Sequence, residues 1–223
     1  MVSIYIKAFF ISLAIFVLGL YIGMNMEFYM TSDIFSQTNN IESSVQDLEL
    51  QMLYFQNLND THSCDFLNEI IRNTNNQLDQ LSEQISGYTE DRIIFSRMNV
   101  ENLKKKYTSL LIKDWLLQNQ VKTKCGTDTV SVLYFYKRKN CNDCIIQGNV
   151  LTSLKDEFRE RLMVFPLDID VGSPMIAILM RRYNITSTPS VIIEDGIYTR
   201  LLSRDELKDS ICYYFVNMTG CLK

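Results

Sequence analysis

The sequence predicts an α/β domain at the carboxyl end, preceded by a long helical segment and an apolar amino-terminal helix. Three observations carry this. Short runs of β-branched and aromatic residues alternate with helical stretches after residue 128. Residues 33–122 hold no proline and a single glycine, Gly87. The first two dozen residues are almost free of charge. The expected boundaries are 1–25 for the apolar helix, 26–127 for the helical region and 128–223 for the α/β domain.

The apolar run extends uncharged from Ala8 to Met24, and Val2 to Ile6 lengthen it with only Lys7 intervening. Such a length matches the roughly 20 residues a helix needs to cross a ~30 Å hydrocarbon core. The expectation is therefore an uncleaved transmembrane signal anchor. The rival is a signal peptide, whose apolar core is shorter and ends in a small-residue cleavage site; Gly23-Met24-Asn25-Met26 is a poor one. Lys7 and the terminal amine precede the run, while Glu27 and Asp33 follow it. With positive charge retained inside, the amino end would be cytoplasmic and the rest extracytoplasmic, on a single-pass membrane protein.

Apolar residues in the middle region recur every three or four positions. Ile41, Val45, Leu48, Met52 and Phe55 form one stripe; Leu67, Ile71, Leu78, Leu81 and Ile85 a second; Val100, Leu103, Tyr107, Leu110, Leu117 and Val121 a third. This is the seam of helices packed side by side. Asn57 to Thr61 and Ser86-Gly87 supply the breaks, and Asn99 is a candidate cap for the third helix. A hairpin or bundle within one chain and a coiled coil that makes a homo-oligomer are both open. A third helix starting near Asn99 would bring Cys64 opposite Cys125, so a structural disulfide is expected there. A start near Glu90 would put them out of register by about 18 Å at 1.5 Å per residue.

The carboxyl-terminal part reads in order. Val130–Tyr136 has the composition of a buried strand, and Lys137 to Asn140 lead to Cys141-Asn142-Asp143-Cys144. A helix is expected over 145–161 and a strand over 162–170. Pro174 opens a further helix to about Tyr183. A strand is expected over 190–194, Asp195-Gly196 is a hairpin turn and 197–201 the returning strand. Ser203 with Glu206 three residues on is a capping box for the last helix.

Six cysteines are enough for two structural disulfides and one redox pair. Cys141 falls at a helix N-terminus, where unpaired N–H groups and the positive end of the dipole favour a thiolate, the form that attacks. Cys144 lies one turn on, placed to resolve a mixed disulfide. Lys137, Arg138 and Lys139 add positive potential; Asp143 opposes it. Cys212 and Cys221 flank a turn and are expected to staple the tail. A purely structural disulfide at Cys141–Cys144 is the alternative reading.

Strand, Cys-x-x-Cys, helix, strand, helix, Thr188-Pro189, hairpin, helix: over roughly residues 128–216 the chain resembles the thioredoxin-like superfamily. With its apolar start and helical segment it looks like membrane-anchored thioredoxin-domain proteins of prokaryotes. The resemblance implies a central sheet flanked by helices and thiol–disulfide oxidoreductase activity on protein thiol and disulfide substrates. It also implies a cis Pro189 beside the sulfurs, with Thr188 binding the substrate strand. Asn140 departs from the family's tryptophan and Asn-Asp from its Gly-Pro. Phe135, six residues before the first cysteine, stands where the family carries a buried acid.

Other classes are disfavoured. The formal net charge of −4 offers no counterion-releasing surface for nucleic acid. No nucleotide, flavin or metal motif is present, so no cofactor is expected and the dithiol would be recharged by a redox partner protein, in the membrane or outside it. His62, the only histidine, lacks the neighbours for a zinc site. Asn59-Asp60-Thr61, Asn184-Ile185-Thr186 and Asn217-Met218-Thr219 fit a short glycosylation pattern that also arises by chance.

Overall fold

The computed structural model describes residues 5–21, 63–87, 94–215 and 221. The stripe from Ile41 to Phe55, His62 and the sequence Asn217-Met218-Thr219 lie outside the described residues. The chain divides into two compact units, Met1–Asn57 and Leu58–Lys223.

In the first unit, helix α1 covers residues 5–21. This corrects the expected transmembrane anchor. Among the described residues no helix is long and apolar enough to cross a membrane. The single-pass placement, with a cytoplasmic amino end and an extracytoplasmic remainder, rested on that span and falls with it.

In the second unit, α2 (Ser63–Gly87) and α3 (Ile94–Cys125) pack against each other. α2 buries one stripe, with Leu67, Ile70, Ile71, Thr74, Leu78 and Leu81 at helical spacing. α3 buries more of its circumference, because it also packs on the sheet. Leu110, Leu111, Ile112, Leu117 and Val121 are all buried. The backbone of α3 is helical from Ile94, five residues ahead of the expected cap at Asn99. Cys64 and Cys125 are disulfide-bonded, with Cα atoms 5.9 Å apart.

The sheet has the order β2-β1-β3-β4. β1 (Val130–Tyr136) runs parallel to β2 (Leu162–Asp168) and antiparallel to β3 (Ser190–Ile193), which pairs with β4 (Gly196–Tyr198). α4 (Asn142–Phe158), α5 (Pro174–Arg182) and α6 (Arg204–Cys212) complete the fold. Val130, Val132 and Tyr134 of β1 meet Leu151, Leu154 and Phe158 of α4 in one core. By strand alternation Ser131, Leu133 and Phe135 face the other side. Burial of these side chains at about 25 cal/mol per Å² drives the assembly.

Glu194 anchors α3 to the sheet. It sits in a left-handed turn at φ 51°. Its Oε1 accepts from the Ser131 amide at 2.8 Å and pairs with Lys122 Nζ at 2.7 Å. Cys212 and Cys221 are also disulfide-bonded.

Asp114 of α3 is buried, 5% exposed, and its Oδ1 has no hydrogen-bond partner among the described residues. Burial pushes its carboxyl up from 3.8 to about 6, against a hydrogen bond with Gln118 and the charge of Lys155. An acid whose folded pKa exceeds its unfolded value costs stability when ionised. That cost is absent below about pH 4 and complete above about pH 6. Stability is therefore expected to fall as pH rises through that window. Asp114→Asn should flatten the dependence and stabilise the chain at pH 7.5 by up to about 2–3 kcal/mol, read by urea unfolding at pH 4.5 and 7.5.

Candidate functional site

β1 ends at Tyr136, and four exposed residues turn the chain into α4. Asn140 takes a left-handed conformation, φ 56°, which asparagine tolerates better than most residues. Arg138 Nε pairs with Asp168 Oδ2 at 2.9 Å, across the site end of β1 and β2. Asp168 is buried and also accepts from the Asp170 amide at 3.1 Å. The guanidinium of Arg138 is thus ion-paired with Asp168. Lys137 and Lys139 are exposed beside them.

Cys141 is the N-cap of α4, and its Sγ accepts from the Cys144 amide at 3.2 Å. The two cysteines are disulfide-bonded, with Cα atoms 5.2 Å apart. Their exposure differs. Cys141 is half-buried, whereas Cys144 is 4% exposed. An incoming sulfur therefore reaches Cys141 first.

The loop before β3 faces Cys141. The Thr188-Pro189 peptide bond is cis. Cys141 Sγ lies 3.8 Å from the Thr188 carbonyl oxygen and 3.9 Å from its Oγ1. Two side chains hold this loop: Ser190 Oγ donates to Ser187 O at 2.7 Å, and Ser187 Oγ donates to Thr199 O at 3.2 Å. Cys141, Cys144, Thr188 and Pro189 thus meet at one end of the sheet. The Cys64–Cys125 and Cys212–Cys221 disulfides are separate bonds elsewhere in the unit.

Two buried residues around the cysteines have no counterpart in the sequence reading. Gln147 is fully buried on α4; its Oε1 accepts from the Leu202 amide at 2.8 Å, fixing the approach to α6. Tyr134, 4% exposed, donates its hydroxyl to the Cys144 carbonyl. Its ring stacks on Tyr136 with centroids 5.4 Å apart, and burial, with Tyr136 beside it, raises its pKa well above the ordinary tyrosine value. The sequence count placed Phe135 in the buried acid's position. Phe135 belongs to the opposite face of the sheet from Tyr134, and it is Tyr134 that reaches the first turn of α4. Strand alternation combined with a helix on one known face is the signal that would have found it.

Chemically, a half-exposed sulfur on a helix N-cap, bonded to a buried one a turn later, is suited to opening and closing a disulfide.

No family model and no curated protein matches the chain. Among solved structures, one titled as the structure of a malarial protein is 25% identical and has a TM-score of 0.34, covering 40% of this chain and 99% of its own. Chloroplastic thioredoxin z is 19% identical with a TM-score of 0.35, covering 44% of this chain and 87% of its own. The similarity to thioredoxin is weak and partial.

Proposed function

We propose that the chain is a thiol–disulfide oxidoreductase that exchanges disulfides with protein substrates through Cys141 and Cys144. The observation that carries this is the unequal burial of the two sulfurs at the start of α4, with Thr188 against the more exposed one. In the reductive direction, the Cys141 thiolate attacks a substrate disulfide. A Cys141–substrate bond forms, and the substrate's other sulfur leaves with the electron pair and takes a proton from water. The Cys144 thiolate then attacks Cys141 Sγ and expels the second substrate thiolate. The substrate gains two electrons, and Cys141–Cys144 is left oxidised. Oxidation of substrate dithiols is the same path reversed, and a second protein dithiol or disulfide resets the pair.

Thr188 contributes the backbone beside Cys141 on which an extended substrate segment would pair. A structural role suits Cys64–Cys125 and Cys212–Cys221, which close loops away from this end of the sheet.

The test is single-turnover exchange. The full chain is selectively reduced at Cys141–Cys144, mixed with glutathione disulfide, quenched with acid and weighed by mass spectrometry. A transient glutathione adduct followed by loss of two hydrogens at this pair is expected. A folded pair that stays unreactive while the unfolded chain exchanges would sink the proposal.

A further inference from the structure

Resting on the reading of Cys141–Cys144 as an exchanging pair, we propose that Tyr134 is the positioning residue for Cys144. Its hydroxyl, donating to the Cys144 carbonyl, holds the first turn of α4 on β1 so that the buried sulfur stays within reach of Cys141 after the disulfide opens.

The geometry gives three reasons. First, the contact is to the resolving cysteine itself, not to a neighbour. When an incoming thiolate attacks Cys141 Sγ, the bond to Cys144 breaks and the electron pair stays on Cys144 Sγ, which then takes a proton from water. At that moment the covalent tie on this turn is gone and the tyrosine bond remains. Second, the bond fits the helix without competing with it. A carbonyl oxygen has two lone pairs, so Cys144 O can serve Gly148 N–H in the α4 ladder and Tyr134 together. The ring also lies against Gly148, where an added Cβ would stand at an ordinary contact distance of 3.7 Å. Third, Tyr134 is itself held. It is buried in the α4 core and stacked on Tyr136. A neutral hydroxyl is no carboxylate base. Its part is geometric, and it stays protonated because burial raises its pKa.

A bond that restricts the open state to the closed geometry is coupled to disulfide formation, and the coupling is reciprocal. Losing one hydrogen bond of ordinary net strength should lower the effective concentration of Cys144 toward Cys141 about three- to tenfold. A purely structural bond, equal in both redox states, would leave that equilibrium where it was.

The experiment compares the full chain with Tyr134→Phe and with Tyr198→Phe in glutathione buffers. Tyr198 donates to Ser210 Oγ at 3.1 Å, so this control also loses one tyrosine hydroxyl bond. Tyr134→Phe is expected to lower the effective concentration by the stated factor and to raise the share of glutathione mixed disulfide. Tyr198→Phe should match the parent. A Tyr134→Phe equilibrium within about twofold of the parent overturns the inference. Amide hydrogen exchange on the parent chain gives a second reading that needs no variant to fold. The Gly148 amide should keep its protection on reduction, and its loss would contradict a turn held by Tyr134. A parent chain that never exchanges with glutathione overturns the oxidoreductase reading and this inference together. An exchanging parent with an unchanged Tyr134→Phe overturns this inference alone.

Discussion

Serine at Cys141 is expected to slow exchange with glutathione disulfide by about a thousandfold or more, whereas serine at Cys144 leaves the first attack intact and stops the reaction at a mixed disulfide. The asymmetry follows from burial. Cys141 is half-exposed at the N-cap, and Cys144 is 4% exposed beneath it. A serine hydroxyl does not ionise in the neutral range and cannot form a disulfide, so Cys141→Ser removes the only sulfur the substrate meets at this site. With Cys144→Ser the substrate remains attached, because nothing attacks the Cys141 sulfur from within. Denaturing gels without reductant, run after mixing with an excess of a disulfide-bonded protein, would display the adduct on Cys144→Ser and none on Cys141→Ser. Equal trapping by both variants would mean that the sulfurs are interchangeable, contrary to their burial.

Removing Cys64–Cys125 by the double serine substitution is expected to cost about 4 kcal/mol. The partners are 61 residues apart in sequence, and closing so long a loop removes much of the unfolded chain's freedom. The bond also ties α2 to the end of α3, and α3 in turn packs on β1 and β2. In calorimetry the midpoint should drop by roughly 10 °C for a body of this size. The Cys212–Cys221 bond, with a separation of 9, should cost less when removed, about 2.5–3 kcal/mol by the same reasoning. A loss under about 1 kcal/mol for the longer loop would mean that packing alone holds the hairpin.

What could be read from the sequence was local. β1, the turn into Cys141, the proline opening α5 and the Ser203–Glu206 capping box carry their signals within a few residues, and the structure has each element in that place. Ends set by distant partners were not legible. β4 stops at Tyr198 instead of running to Leu201. The Thr199 carbonyl accepts from Ser187 and the Leu202 amide donates to Gln147, so side chains replace the ladder.

At the site, Cys141, Cys144 and the Thr188-Pro189 turn were visible as a pattern. The Arg138–Asp168 pair was not, because it joins residues 30 positions apart whose neighbourhood exists only once β1 and β2 pair. Tyr134 was not singled out, because its contact with the Cys144 carbonyl joins a strand to a helix ten residues on and exists only once α4 packs on β1.

The measurement that bears most directly on the central claim is the reduction potential of Cys141–Cys144 in the full chain, set against glutathione buffers and approached from both the reduced and the oxidised side. The account predicts that both approaches meet at one value above about −300 mV, the behaviour of a pair that exchanges. A pair below about −300 mV that does not exchange from either side would be an inert structural disulfide, and the account would be wrong.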